Sequence, residues 1–453
     1  MNVHLGRRRF LLLSGGAAAT CLVDLVPQAS AQQGCAGPLP FVITVQASGA
    51  WDPTFLVDPV ADDAGFTPFA ASQLMSVGQI RYAPFTNDGG VVTPYSVGAT
   101  PQDFFVKHGQ RAIVFNGIDN ATVSHDVGPR VAFTGSTRDG QPTLSGLVAG
   151  LQGQELPLAM FVAGGYASTG GLVPVTRGGS LQLLQGLASP NRDSIHTDAV
   201  DGLVRAATRA RDARLIEQST LPRSRRAFEQ ILASRSGPLE DRFREIADVL
   251  QQASGGRTGN ALSDTAAGVL ALMRSGATAA AHLSTGGFDT HDNHDDLNNG
   301  QRPALSRLLA GLDFIIDTAA ADPTLSQRGV VIVVGSDFGR TKYNDGGGKD
   351  HWPITSMMAI GIGAAEAKIG GARVIGATTP TGQNGVEALP VKIANGKVET
   401  TEADDPSGFR LLPAHVHHAL RSALGLCETG VPNDPLRRFA LNVLPQEPLP
   451  LTG

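Results

Sequence analysis

Short apolar runs recur along the chain, and each gives way at once to a polar loop. Phe41 to Gln46 (FVITVQ), Arg111 to Phe115 (RAIVF), Leu158 to Val162, Ala279 to Leu283 and Val330 to Val334 carry at most one basic residue apiece. Their length and β-branched content predict strands covered on both faces, as in a parallel sheet. Between the last two, Leu305, Leu308, Leu309, Leu312, Ile315 and Ile316 repeat at three- and four-residue spacing, which predicts one face of an α-helix. Strand, helix, strand is a βαβ crossover, and sheets built this way collect ligands at the carboxyl ends of their strands. Asn260 to Ser275 and Leu412 to Leu424 predict two further helices. From about 196 to 276 the segments ARDARLIEQ, SRRAFEQILASR and PLEDRFREIADVLQQA carry helical spacing without strand signals, so a helical insertion over the sheet is expected. Residues 60–100, rich in Gly, Pro and Asp, are expected to be loop with no core role.

The loops after the strands hold the chemistry. Ser284 to His294 (STGGFDTHDNH) packs Asp289, His291, Asp292 and His294 together, donors suited to a borderline transition metal. Asp52 follows the first strand in Trp51-Asp52-Pro53. Asp337, Phe338 and Arg340 leave the strand that ends near Val334, and ten residues on Gly346-Gly347-Gly348-Lys349-Asp350-His351-Trp352 adds a second carboxylate and imidazole pair. The triple glycine lets backbone approach a ligand closely or move as a flap, and Arg340 and Lys349 are cations able to hold an anion. The loop from Asn116 to His125 offers Thr122, Ser124 and His125, where a hydroxyl beside a metal would be activated as a nucleophile. A plainer reading stands beside each of these: Asp before Pro starts turns, and polar loops are ordinarily just solvated. His108, His196 and His282 have no sequence partners and read as structural. His415, His417 and His418 read as helix-surface residues, although 415 and 418 share a face.

Composition narrows the class. Hydrophobic residues make up 42% and charged residues 17%, so the bulk is a folded globule. Its 453 residues suit one large domain with insertions, or two domains. A net charge of −5 without a basic stripe argues against nucleic acid as a partner. Aromatic residues, 5% of the chain, are too few for an obvious sugar-stacking surface. Residues 1–31 read as a targeting segment: Arg7, Arg8 and Arg9, then Phe10-Leu11-Leu12-Leu13, a Gly/Ala-rich stretch broken by Asp24, and Ala29-Ser30-Ala31 for cleavage. The run is too short and interrupted to span a membrane. Its RRxFL order resembles a twin-arginine (Tat) signal, which would make the Tat export machinery a partner and place the mature chain in the periplasm or otherwise outside the cytoplasm. Gly6 and Leu12 depart from the fuller pattern and leave the ordinary Sec route open. Cys21 falls in this segment, so Cys35 and Cys427 remain to pair in an oxidising compartment.

GGFDTH (286–291), SDFGRT (336–341), GGGKDHW (346–352) and KIGGARVIG (368–376) together resemble the bacterial family known as domain of unknown function 1501. Its members are often Tat-exported and grouped with the alkaline phosphatase and sulfatase superfamily. The resemblance implies an α/β sandwich of alkaline phosphatase type over residues 32–453, with a mostly parallel central sheet and one or two divalent metals, zinc, manganese or iron, at the strand ends. Asp52, Asp289, His291, Asp337 and His351 match the superfamily's metal ligands, with His294 and Asp350 as additional candidates. Ser124, His125 and Arg340 are the catalytic candidates. The implied activity is hydrolysis of a small anionic phosphate or sulfate ester. The alternative is a metal-stabilised periplasmic or surface binding protein that kept the fold and lost the chemistry. Two departures bear on that choice: Phe338 stands where superfamily phosphatases place histidine, and the nucleophile loop lacks the sulfatase pattern of Cys or Ser, Pro, Arg.

Overall fold

A computed structural model describes residues 38–83, 85, 99–154, 156–178, 198–222, 224–225, 228–229, 232, 258–381, 384–426, 434–445 and 447–451. The leader 1–31, the middle of the expected insertion and the Cys35–Cys427 pair lie outside these residues.

The apolar runs assemble into one eight-stranded sheet. Its strands are β1 (Phe41–Ala47), β2 (Ala112–Asp119), β3 (Met160–Ala163), β4 (Val175–Arg177), β5 (Ala280–Thr285), β6 (Val330–Ser336), β9 (Ile354–Ile362) and β10 (Arg373–Ile375). The hairpin β7 (Gly339–Tyr343) and β8 (Lys349–Trp352) stands outside it. Across the sheet the order is β10, β2, β9, β6, β1, β5, β3, β4. β9 alone runs antiparallel to its neighbours β2 and β6, and the other pairings are parallel. This is an α/β fold with a large, mostly parallel sheet and flanking helices.

β1 and β6 are buried at every residue, because each face has its own cover. Ile43, Val45, Ile332 and Val334 turn toward the helices Ala261–Arg274 and Gln301–Ala321, whose Leu270, Leu305, Leu309 and Ile316 share that core. Val42, Val331 and Val333 turn the other way, toward the helices Leu144–Gln152 and Pro413–Ala423. Alternation of side chains across the pleat feeds both layers from one strand. Asn260 starts its helix where expected, accepting from Leu262 N and Ser263 N.

Three expectations change. Residues 60–100 are not core-free: Met75–Val77 pairs with Ile80–Tyr82, and Phe66, Ile80 and Tyr82 are buried, Tyr82 stacking on Phe105 at 4.9 Å. Three-residue strands are too short for a period to show. β2 runs on to Asp119 through Asn116 and a left-handed Gly117, where the register with β9 shifts. His415 and His417 are buried and donate from Nε2 to the carbonyls of Leu444 (2.9 Å) and Ala132 (2.7 Å), because their helix is covered on the face read as open. No helix among the described residues is long and apolar enough to cross a membrane.

Two buried imidazoles make the fold acid-sensitive. Burial, with Arg177 in the same direction, holds His282 down to about 3. Burial, aided by Arg421 and opposed by the Ala132 carbonyl, holds His417 down to about 4. Below the ordinary histidine value of 6.5 the unfolded chain takes up protons that the folded chain refuses, so stability falls as the pH drops from there toward these values. Urea unfolding near pH 5 should show a loss of roughly 2 kcal/mol per histidine relative to about pH 7. His417→Gln keeps an amide donor for Ala132 and should lose correspondingly less; an unchanged pH dependence would mean that His417 contributes nothing to it.

Candidate metal centre

The sheet brings four chain segments to one edge. β5 ends at Thr285 and leads into Asp289 and His291; β6 ends at Ser336 and leads into Asp337. β2 leads into the turn that carries His125. β9 is antiparallel, so its start lies at this same edge, and the β8 strand just before it delivers Asp350 and His351. The β5 loop is met at backbone distance by the loop after β1 and by the hairpin. A Cβ on Gly49 (φ +108°) would sit 2.7 Å from Asp289 N, and one on Gly348 would overlap the carbonyl of His291. Those two positions require glycine.

His125, Asp289 and His351 offer ligand atoms that all lie within 4.8 Å of one another. His125 Nε2 is 3.6 Å from Asp289 Oδ2, and His351 Nε2 is 3.2 Å from Oδ1. His291 joins from the side, its Nε2 3.2 Å from Asp289 Oδ1 and 2.9 Å from His351 Nε2. A tetrahedral ion with bonds of about 2.0–2.2 Å sets its ligands roughly 3.4 Å apart. These separations bracket that spacing.

The opposite nitrogen of each ring decides what the Nε2 atoms can do. His125 Nδ1 donates to Asp337 Oδ2 at 2.7 Å, His291 Nδ1 to Asp350 Oδ1 at 3.0 Å, and His351 Nδ1 to the Val123 carbonyl at 3.2 Å. With its proton on Nδ1, a neutral ring presents the Nε2 lone pair to a cation; His351 Nε2 also lies within hydrogen-bond distance of Asp289 Oδ1, at 3.2 Å. Metal-binding histidines are oriented in this way by outer acceptors. Asp337 is itself fixed by Gln46 Nε2 (2.8 Å) and Gly49 N (3.1 Å). His291 Nε2 and His351 Nε2, 2.9 Å apart beside a carboxylate, are close enough to share either a proton or a cation.

Arg340 governs Asp289 from beneath. Partial burial would raise the Asp289 carboxyl, but hydrogen bonds from Arg340 (2.8 Å) and His351, with the charge of Arg340, bring it down to about 2. Burial lowers His351 despite its bond to Asp289, and Arg340, His125 and His291 push the same way, which favours the neutral ring. Asp289 is thus an anionic ligand.

Other sequence candidates lie elsewhere. Asp52 and His294, matched or proposed as ligands, form a fully buried group with Lys349. Asp52 Oδ2 accepts from Lys349 Nζ at 2.5 Å and from His294 Nε2 at 3.0 Å, while Oδ1 accepts from Thr54 N and Oγ1. Burial works against that charge, but Lys349 and His294 hold it far below the usual carboxylate range. With its lone pairs spent there, Asp52 does not join Asp289. Arg340 and Lys349, read from sequence as cations for an anion, are both buried. Arg340 donates to the carbonyls of Gly49, Ala50, Phe288 and Lys349 as well as to Asp289, and Lys349 donates to Phe66 O and Asp52. Ser124 is exposed, its Oγ accepting from Asp126 N at 3.3 Å beside His125. Gln46 and the Val123 carbonyl were not anticipated; a lone glutamine ending an apolar strand was the available signal for the first.

A second group, His108, Asp313 and Asp317, also has donor atoms within reach of one ion. There Lys107 Nζ already bonds both carboxylates, at 2.7 Å to Asp313. Its ammonium takes the place of a metal, so the first group is the stronger candidate.

Comparison with protein families agrees with the motifs. The model described as "Protein of unknown function (DUF1501)" matches residues 10–395. The chain belongs to that family. No curated protein and no solved structure matches it. The matched span contains every residue of this DUF1501 centre.

Two substitutions test the architecture. Asp337→Asn removes the anionic acceptor behind His125 and should weaken zinc or manganese binding about 10–100-fold, measured by competition with a chelating dye, without unfolding the chain. Lys349→Met leaves Asp52 buried without its cation and should cost about 3–5 kcal/mol in urea unfolding; a cost below about 1 kcal/mol would show that the buried pair is not needed for stability.

Proposed function

We propose that this DUF1501 protein is an exported, metal-dependent hydrolase of phosphate or sulfate esters, built on a sandwich of alkaline phosphatase type. The observation that carries the reading is the convergence of three imidazole Nε2 atoms on the Asp289 carboxylate at the carboxyl edge of a mostly parallel sheet. One or two divalent ions, zinc, manganese or iron, bound there would supply Lewis-acid stabilisation of a transferring phosphoryl or sulfuryl group. In this reading Asp289, His291 and His351, with His125, hold the ion. Asp337 and Asp350 keep the rings turned toward it, and Arg340 fixes the Asp289 carboxylate. The exposed Ser124 is the candidate nucleophile, with bound water as its rival. Phe338, whose ring centre lies 4.9 Å from that of His125 and 4.4 Å from that of His351, forms an apolar wall where a second metal's histidine would be expected. Residues 1–31 would act as the Tat leader that delivers the chain to the periplasm.

The inward-turned cations favour the competing reading, a metal-stabilised binding protein without turnover. Arg340 and Lys349 spend their donors inside the fold, leaving the charge of an anionic ester to be met chiefly by the ion. Elemental mass spectrometry of the mature protein, followed by a panel of chromogenic phosphate mono- and diesters and sulfate esters, separates the two. A hydrolase should turn over at least one ester in proportion to bound metal, and the Asp289→Ala, His291→Ala double variant should lose about 100-fold or more of that rate. Bound metal without turnover points to the binding protein; a folded chain that takes up no metal removes both readings.

A further inference from the structure

The Asp337 carboxylate behind His125 leans on a side chain of β1. Gln46 is 3% exposed, and its Nε2 donates to Asp337 Oδ1 at 2.8 Å, while His125 Nδ1 and Gly49 N both approach Oδ2. At the other end of the same amide, Oε1 accepts from Tyr166 N at 2.9 Å, in the loop that follows β3. A backbone N–H can only donate, so the oxygen of Gln46 faces Tyr166 and its NH2 faces Asp337. The loop thereby sets the sense of the amide, and the amide presents a donor where the carboxylate needs one. Gly164 and Gly165 bring that loop in close, with φ values of +80° and +68°. A Cβ on Gly165 would sit 2.6 Å from Gln46 Oε1 and equally near His282 Nε2, so the approach requires glycine. Among the described residues Gln46 is the donor that Asp337 Oδ1 accepts from. Without it, that oxygen would stand unanswered in a dry interior, and the carboxylate could turn about its last bond.

We propose that Gln46 is a positioning residue for His125: held in one sense by the Tyr166 N–H, it locks the Asp337 carboxylate and through it the direction of His125 Nε2. The inference rests on the metal reading of the centre and deepens it. Part of the affinity for the ion is assigned to a relay that starts in the loop after β3, a segment that supplies none of the four candidate ligands.

Zinc affinity of the mature protein, measured by competition with a chelating dye, tests it in Gln46→Met, His125→Ala and the double variant, each checked for an unchanged far-UV spectrum. Gln46→Met should weaken zinc about tenfold or more in the otherwise unaltered chain and cost nothing further once His125 is gone. A merely structural role would cost the same in both backgrounds, and that result overturns the proposal. Gly165→Ala, which keeps Gln46 but pushes the loop away from it, should weaken zinc in the same direction and serves if Gln46→Met does not fold. Proton NMR of the metal-free protein gives a second readout. The His125 Nδ1–H, hydrogen-bonded to Asp337, should give a low-field resonance that Gln46→Met broadens or removes; a resonance unchanged in the variant overturns the proposal. If the unaltered chain takes up no zinc, the metal reading fails, and this resonance still decides whether Gln46 holds the ring.

Discussion

One buried guanidinium holds the metal-centre edge of this molecule together. Arg340 reaches from the hairpin after β6 to carbonyls in the loop after β1 (Gly49 and Ala50), the loop after β5 (Phe288) and the opposite hairpin strand (Lys349), and its Nη2 is shared between two of those carbonyls and Asp289. An unpaired guanidinium at 1% exposure would be prohibitively costly. Spread over four carbonyls and a carboxylate, its charge is compensated, and three separate loops acquire a common anchor. Only the carboxylate end of this arrangement faces outward. The guanidinium thus determines where Asp289 stands and keeps it ionised.

Lys349, Asp52 and His294 repeat the principle a layer deeper. The ammonium joins the hairpin to the segment after β1, and His294, three residues beyond His291, joins the β5 loop to the same carboxylate. Thr290 closes the chain by its hydroxyl contact to His294 Nδ1 at 2.8 Å. Removing one partner from such a group costs more than the group contributes as a whole, because the remaining charge is left in a dry interior. The surface imidazoles and the buried ionic group therefore do different work with the same residue types.

That division is where reading from sequence reached its end. The strands of the βαβ unit, the amphipathic helix between them and the placement of loops at one sheet edge follow from periodicity, because burial on two faces forces uninterrupted β-branched runs. Asp289, His291, Asp337, Asp350 and His351 sit just past predicted strands or in the loop that returns to one, which made them candidates; the family resemblance joined them into a ligand set that also held Asp52 and His294. Which acids and bases face outward was not legible. Asp52 and Asp337 both follow apolar strands, yet one is matched with a buried ammonium and the other backs His125. The difference comes from residues 297 and 212 positions away along the chain, and no local pattern encodes it. The antiparallel β9 went unread as well, since an apolar run of nine residues does not announce its direction.

The glycines at 49 and 348 carry a consequence for how the centre can move. Because backbone rests on backbone at both points, neither loop has a compressible side-chain layer along which it can slide past its neighbour. Displacement of one loop would have to carry the others with it. The edge is therefore built as a single stiff rim rather than as a set of independent flaps, and whatever enters must fit the opening as it stands or shift the rim as one piece.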